Sequence, residues 1–342
     1  MEKKKTKKKI NSSTFLLMIT IVLFAVMYIA GMIIFNDKGF AKPQMFMNLF
    51  ISNAGLIVIG CGMTLVMITG GIDISVGSVT ALVCMSAAYA MENKGMSAVA
   101  AVAISLLIGT LFGIVQGYLV TYLEIQPFIV TLAGMCFGRG LTAVISTDMI
   151  AIQNKTFLKW ANYRINLPFG TYNRRGVFIP AYIYPTVIIA LAVVILITIM
   201  LKFTKFGRSL YAIGGNQQSA VMMGLDVKKT KMKAYVLDGF LAGLGGFLFC
   251  LNSCAGFVEQ AKGLEMDAIA SAVIGGTLLS GGVGTVVGTL FGVLINGTIS
   301  SLITTQGTLS SWWVRITLSA LLCFFIVLQA VIAAVKRKKK KK

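Results

Sequence analysis

The stretch AYIYPTVIIALAVVILITIML, residues 181–201, contains no charged side chain and ends directly before Lys202. A helix needs about 20 consecutive apolar residues to cross the hydrocarbon core of a bilayer. The stretch therefore predicts a membrane-spanning helix. The same criterion, applied outward along the chain, gives ten candidate spans, at residues 15–35, 48–69, 76–92, 97–118, 125–147, 181–202, 235–254, 266–281, 285–305 and 312–335.

The composition agrees with a membrane protein and excludes a water-soluble enzyme. Of the 342 residues, 57% are hydrophobic and 12% are charged, and the mean hydropathy is +0.85. The chain has no histidine, which excludes histidine acid–base chemistry, histidine metal ligands and Ser-His or Cys-His pairs. The six cysteines lie in apolar runs without CxxC spacing. We therefore expect no catalytic residue and no metal site.

The positive charge predicts how the chain crosses the membrane. The net charge is +20, but much of it lies in two terminal lysine-rich tails, a pattern typical of cytoplasmic membrane flanks rather than of nucleic-acid binding. With both tails cytoplasmic, 20 basic residues lie inside and nine outside. The sequence predicts an all-α polytopic membrane protein with about ten transmembrane helices, or eight with two re-entrant segments, and both termini cytoplasmic. Its parts are a basic tail at 1–14, a permease domain at 15–335 and a basic tail at 336–342.

Two loops are long enough to have functions of their own. The external loop, 148–180, combines aromatic and proline residues in a way that suits an interfacial amphipathic segment or a docking surface. The cytoplasmic loop, 202–233, predicts a short helix that begins at Asn216 as the N-cap and ends before a glycine. We expect Ala220, Met222 and Met223 to form its apolar patch.

Charged residues within the spans are costly, so each one suggests a function. Asp73 lies in TGGIDISVGS (69–78), where it either lines a translocation path or caps the following helix. Asp238 follows the basic loop closely, which favours a position at the membrane-facing end of its span. The remaining charges are Asp267, Arg139 and Arg315, and both arginines are expected near the outer boundary.

Glycine and lysine patterns bear on packing and on energy supply. Gly284, Gly288 and Gly292 form a ladder of small residues that favours close helix packing. The dipeptide Gly-Lys, which a nucleotide-binding P-loop requires, occurs nowhere in the chain. If nucleotide drives transport, the ATPase is therefore a separate polypeptide that acts on a cytoplasmic loop.

Three stretches carry a resemblance to a known family: TGGIDISVGS (69–78), FGRSLYAIGGNQQSAVMMGLDVKKTK (206–231) and LEMDAIASAVIGGTLLSGGVGTVVGTLFG (264–292). Together they resemble the permease subunits of ribose-type sugar ABC transporters, over residues 48–335. Residues 126–152 are most similar to the permeases assigned to galactofuranose-type uptake. The resemblance implies a bacterial plasma (inner) membrane permease for carbohydrate uptake that is not itself an enzyme.

The resemblance also implies partners and site residues. A second permease would complete a homo- or heterodimer, two ATPase subunits would bind ATP and Mg, and a sugar-binding protein would dock from outside, so that this chain itself holds no cofactor. The residues that match the family's ATPase-coupling loop are Arg208, Gly215, Asn216, Ala220 and Gly224. A neutral sugar needs hydroxyl, amide and aromatic groups along its path, and the candidates are Asn53, Asp73, Gln126, Phe128 and Thr131.

Two other functional classes remain as alternatives. An ion-coupled secondary transporter of a small polar solute would need acidic pairs in the middle of its spans, where the sequence suggests that Asp73 is almost alone. A membrane-embedded enzyme would need a cluster of polar catalytic groups, which the scattered charges do not indicate. Among importers, the cargo could equally be ribose, another pentose or a nucleoside.

Overall fold

A computed structural model describes residues 12–172, 176–310 and 312–340, and most of these residues are helical. The helices of this part of the chain are α1 (Ser12–Ile34), α2 (Pro43–Ile68), α3 (Val76–Glu92), α4 (Ala98–Thr121), α5 (Pro127–Ile145), α6 (Lys155–Ala161), α7 (Pro185–Phe203), α8 (Lys205–Gly215), α9 (Gln217–Met222), α10 (Val227–Ser253), α11 (Leu264–Ile274), α12 (Val286–Gln306) and α13 (Trp312–Lys340). Residues 1–11 of the predicted N-terminal tail lie outside the described residues. The backbone of the predicted C-terminal tail continues α13 as far as Lys340.

Eight helices in the described part of the chain are long and apolar enough to cross a membrane, namely α1, α2, α4, α5, α7, α10, α12 and α13. Each coincides with a predicted span, which confirms the polytopic helical fold. The predicted span at 76–92 is helical over the same residues, but α3 has only 17 of them. The predicted span at 266–281 contains the 11-residue α11, which at about 1.5 Å per residue cannot cross a bilayer. This agrees with the re-entrant alternative.

Helices α2 and α10 form the centre of the bundle and are its most buried long helices. Helix α10 packs closely against α4 because glycines face each other across the contact. A Cβ atom on Gly239 would lie only 2.7 Å from the Cα atom of Gly113. Small residues at such contacts let membrane helices approach closely enough for backbone packing.

Hydrogen bonds define the two ends of the bundle. One end carries two paired strands, at 165–172 and 178–183, and we call it the hairpin end. There Gln44 at the start of α2 pairs with the backbone of Tyr182, and Lys38 donates to the carbonyl of Gln306 at the end of α12. At the opposite end, which we call the α8–α9 end, the amide of Gly282 donates to the carbonyl of Ile68 at the end of α2. The positive-inside prediction places the α8–α9 end in the cytoplasm.

The long loop at the hairpin end contains an amphipathic helix, one of the two forms that the sequence suggested, together with strands that the sequence did not indicate. Strands β1 (Ile150–Ala151), β2 (Ile165–Tyr172), β3 (Phe178–Ile183) and β4 (Ala255–Gly256) form two antiparallel ladders, β1 with β4 and β2 with β3. The amphipathic helix α6 buries Phe157 against Phe247 and exposes Lys155 and Lys159. The β1–β4 ladder ties this loop to the end of α10.

The predicted glycine ladder mediates helix packing, as expected. Gly288 contacts the backbone of Gly275, and Gly292 contacts the backbone of Ser271, so α12 lies directly against α11. Gly284 faces the side chain of Thr277. A larger residue at 288 or 292 would force the two helices apart.

Candidate functional site

Helices α8 and α9 are short helices at the α8–α9 end, each with a side-chain cap. The hydroxyl of Thr204 accepts a hydrogen bond from the amide of Gly207 at 3.1 Å, and Asn216 Oδ1 accepts from the amide of Ser219 at 2.9 Å. Gly224 follows α9 with φ of +77°, a conformation that favours glycine. The predicted helix and its N-cap at Asn216 are confirmed.

The surface of α9 differs from the predicted patch. Ala220 is fully buried against Ile213 and Val227, so it anchors α9 and is not part of an exposed patch. The prediction was wrong for Ala220 because that residue lies on the helix face opposite Met222. The exposed apolar residues are Met222, which is 88% exposed, and its neighbours Val221 and Met223. These three residues form what we call the α9 apolar tip.

Helix α8 is connected directly to the bundle. Tyr211 donates a hydrogen bond to the carbonyl of Gly284 at 2.8 Å, and Gly214 contacts the carbonyl of Ile68. Arg208 donates to the carbonyl of Phe203 at the end of α7, at 3.3 Å. A displacement of α8 and α9 would therefore be transmitted to α2, α7 and the segment between α11 and α12.

The α8–α9 end is positively charged and carries a few defined polar contacts. Lys228 forms an ion pair with Glu124 at 3.0 Å, and Lys231 donates to the side chain of Gln217 in α9 at 2.7 Å. The amide of Lys229, together with its side chain, holds the pKa of Asp226 below its ordinary value. Asp226 thereby acts as the N-cap of α10.

Asp73 acts as a structural residue at the start of α3. Its Oδ1 accepts hydrogen bonds from the amide of Ser75 at 2.7 Å and from the hydroxyl of Ser75 at 2.6 Å. Gln116 on α4 donates to the same hydroxyl at 2.8 Å. Asp73 is 3% exposed and so does not line an open path. Asp73 also does not cap α3 directly, since the N-cap residue is Ser75; it holds Ser75 in place instead.

Asp238 occupies a position that the sequence interpretation missed. The expectation that it lies at a membrane-facing end is wrong, since it is fully buried and within hydrogen-bonding reach of Asp73. Asp73 is therefore not alone. No described donor reaches either oxygen of Asp238, and the hydroxyl of Tyr235, close to both carboxyl groups, is also unpartnered within the described chain. Two carboxyl groups this close attract each other only when they share a proton.

The other predicted path residues fall into two groups. Thr131 is fully buried and donates to the carbonyl of Ile72 at 3.2 Å, so it holds α5 against the Asp73 loop and does not face a path. Gln126 and Phe128 are exposed at the start of α5, near the α8–α9 end. Asn53 lies apart from them, in a cavity towards the hairpin end.

This cavity, which we call the polar cavity, has a volume of about 500 Å³ and lies between α2, α10, α11, α12 and α13. Its polar lining includes Asn53, Asp267, Asn296, Ser300 and Arg315. Sequence reasoning identified Asn53 but not Asn296 or Ser300, because nothing in a helix pattern shows which polar residues of separate spans converge.

Both intramembrane arginines bind one turn at the hairpin end. Arg139 donates to the carbonyls of Val258 and Gln260 at 2.7 and 2.6 Å, and Arg315 donates to the carbonyl of Lys262 at 3.2 Å. The turn leads from β4 into α11. The predicted position of both arginines near the outer boundary is consistent with these contacts.

Comparisons with known proteins identify the family. Residues 45–326 match the family described as the permease component of branched-chain amino acid transport systems. The chain is 41% identical to the inner membrane ABC transporter permease protein YjfF of Escherichia coli, covering 92% of this chain and 91% of that one. It is 34% identical to the fructose import permease protein FruG of Bifidobacterium longum, covering 92% and 90%.

It is also 38% identical to the ribose import permease protein RbsC of Bacillus subtilis, covering 78% of each chain. No solved structure matches the chain. The match to the family covers most of the chain and includes seven of the eight spanning helices entirely or in large part. This chain is a multi-pass membrane protein and belongs to the branched-chain amino acid transport system permease component family.

Proposed function

We propose that this chain is the membrane-spanning permease subunit of an ATP-driven sugar importer in a bacterial inner membrane. Two of the relatives are fructose and ribose import permeases, and a third is an inner membrane ABC transporter permease. Because the sequence contains no Gly-Lys, we assign ATP hydrolysis to a separate ATPase chain, which would bind ATP and Mg. The remaining partners are a second permease and an extracytoplasmic sugar-binding protein.

The geometry of α9 carries the coupling part of this proposal. Its apolar tip is exposed on a positively charged end of the bundle, although an exposed Met222 flanked by Val221 and Met223 is unfavourable in water. The same helix is fixed to the bundle by the buried Ala220 and by α8. A partner that displaces the α9 apolar tip would therefore displace the helices of the bundle as well. We assign this surface to the ATPase, with Arg208, Gly215, Asn216 and Gly224 shaping the loop.

Transport then follows from alternating access. Closure of the ATPase subunits on ATP displaces α8 and α9, which are connected to the ends of α2 and α7. The bundle changes between inward- and outward-facing arrangements, and nucleotide sets the balance between them. The permease forms no covalent bond with the sugar.

Affinity purification tests the assignment. The tagged chain is purified in mild detergent, and co-purifying proteins are identified by mass spectrometry. We expect an ATPase that carries a Walker A motif, and either a second permease sequence or this chain alone. The double substitution Met222→Asp with Met223→Asp should release the ATPase, whereas Met96→Asp, at an exposed methionine of the hairpin end, should retain it. Retention of the ATPase by the double variant would contradict the coupling assignment.

A further inference from the structure

We infer that the polar cavity is a monosaccharide-binding site within a single protomer. The inference rests on the proposed function, since it takes the cargo to be a sugar. It goes further by placing a site within one chain and by naming the side chains that contact the ligand.

The position of the polar groups in the membrane supports this inference. Asn53 is ten residues from the start of α2, and Asn296 is ten residues from the end of α12. At about 1.5 Å per residue, both lie about 15 Å from the hairpin end, near the middle of a ~30 Å hydrocarbon core. Polar side chains at this depth face the interior of the bundle or a water-filled cavity, and these two line the polar cavity.

The asparagines are held in place by their surroundings. Asn53 lies against Gly297, where a Cβ atom would approach its Nδ2 to 2.6 Å, and this Nδ2 donates to the carbonyl of Leu49 at 2.8 Å. Its Oδ1 is then the atom that can accept from a ligand. Asn296 is only 7% exposed and lies within hydrogen-bonding reach of Asp267. Both amides are therefore positioned before any ligand arrives.

The chemistry of the lining fits a polyol. Asp267 accepts hydrogen bonds, the guanidinium of Arg315 donates them, and the amides and the Ser300 hydroxyl do both. Each hydroxyl of a sugar likewise donates and accepts. Phe249 adds an aromatic surface for the apolar side of a sugar ring. A lipid chain offers no hydrogen-bond partner, so it would leave the free donor and acceptor positions of these groups unsatisfied.

The cavity also has an entrance from the hairpin end. A second depression of about 430 Å³ shares Phe249, Leu264, Asp267 and Arg315 with the polar cavity. It continues to the turn that carries the Glu259–Lys262 ion pair, in which the ammonium and carboxylate are 2.7 Å apart. A sugar released at the hairpin end could therefore enter along polar groups.

Protection of an introduced cysteine tests the site without measuring transport. Ser300→Cys is placed in a background that lacks the two exposed cysteines, Cys136 and Cys323. The purified transporter, with its ATPase, is labelled with a hydrophilic methanethiosulfonate reagent while D-ribose, D-fructose or L-leucine is added. Thr308→Cys, exposed at the hairpin end outside the cavity, is the matched control.

We expect ribose or fructose to slow the labelling of Ser300→Cys and not that of Thr308→Cys. Asn296→Leu should raise the half-protecting sugar concentration about tenfold, which corresponds to the loss of one buried hydrogen bond. Its elution profile in detergent should match that of the parent, as a control for folding. An unreactive Ser300→Cys, or labelling unaffected by sugar, would overturn the inference.

The outcomes separate this inference from the proposed function. If ATP-dependent sugar uptake is measured and sugars give no protection, only the cavity assignment fails. If leucine protects and is transported while the sugars do neither, the proposed sugar cargo fails as well. Protection by sugar together with ATP-dependent sugar uptake supports both.

Discussion

The buried pair of Asp73 and Asp238 makes a quantitative prediction about which carboxyl group carries the shared proton. Ser75 donates two hydrogen bonds to Asp73, whereas no described donor reaches Asp238. Hydrogen bonds to a carboxylate favour its charged form, so we expect Asp73 to be the ionised member of the pair and Asp238 to hold the proton. The substitution Asp238→Asn would imitate the protonated carboxyl group, because the amide nitrogen that it introduces can donate to Asp73 in the same way.

The expected stabilities follow from this assignment. Asp238→Asn should change the free energy of unfolding by less than about 1 kcal/mol, which for a chain of 342 residues is about 1–2 °C in melting temperature. Asp238→Ala removes the proton that Asp73 shares and leaves a cavity in a fully buried space, and should lose about 2–4 kcal/mol. Asp73→Asn should be more destabilising than Asp238→Asn, because it replaces the charge that the two Ser75 donors stabilise.

The assay is the melting temperature of the detergent-purified protein, taken from loss of the monodisperse peak in size-exclusion chromatography. Asp37→Ala, at an exposed carboxylate, serves as the control and should not shift the melting temperature. If both carboxyls were ionised about 4 Å apart, their repulsion would be about 4 kcal/mol at an effective dielectric constant of about 20. A rise in melting temperature of about 5 °C or more in Asp238→Asn would therefore refute the shared proton.

Three further predictions concern packing, coupling and capping. Gly288→Val should abolish recovery of folded protein in size-exclusion chromatography, since the valine side chain would overlap the backbone of Gly275. Gly140→Ala, at a position with open space around it, should be recovered normally. Gly224→Asp should uncouple ATP hydrolysis from sugar uptake in proteoliposomes, because it adds a charge and backbone strain at the end of α9. Gly95→Asp, at a similar positive φ at the hairpin end, is the control and should leave the coupling intact. The lowered pKa of Asp226 stabilises the fold above the ordinary aspartate pKa of about 3.9, and this contribution disappears as the pH falls through the folded-state value. When the pH is lowered from 5 to 3, the melting temperature of Asp226→Ala should accordingly fall less than that of the parent. An equal fall in both proteins would contradict the role of Asp226 as a cap.

The sequence predicted the long elements of this fold because their apolar length alone identifies them. Helix α3 begins and ends at the predicted residues, and the cap at Asn216 follows from local hydrogen bonding that a single segment contains. The sequence did not decide whether the eighth predicted span, 266–281, crosses the bilayer. Glycine-rich apolar segments have the same composition whether they cross the bilayer or turn back. The β2–β3 hairpin, with Pro168 and Gly170 in its first strand, lacks the regular alternation that would indicate strands.

The parts that the sequence could not supply depend on contacts between distant segments. Asp73 and Asp238 meet only because the loop before α3 packs against α10, and the polar cavity takes side chains from five helices. In a membrane protein the lipid-facing and core-facing surfaces are both apolar, so periodicity does not show which face of a helix is inside. For the same reason the sequence assigned Thr131 to a path, although it lies fully within the protein.

The most direct test of the central claim is sugar uptake in right-side-out membrane vesicles that contain this chain, its ATPase and its binding protein. Ribose and fructose are supplied outside, and the vesicles are loaded with ATP or with a non-hydrolysable analogue, each with and without an uncoupler. The account predicts uptake that requires hydrolysable ATP and persists when the proton gradient is removed. Uptake that proceeds with the analogue and stops with the uncoupler would contradict it.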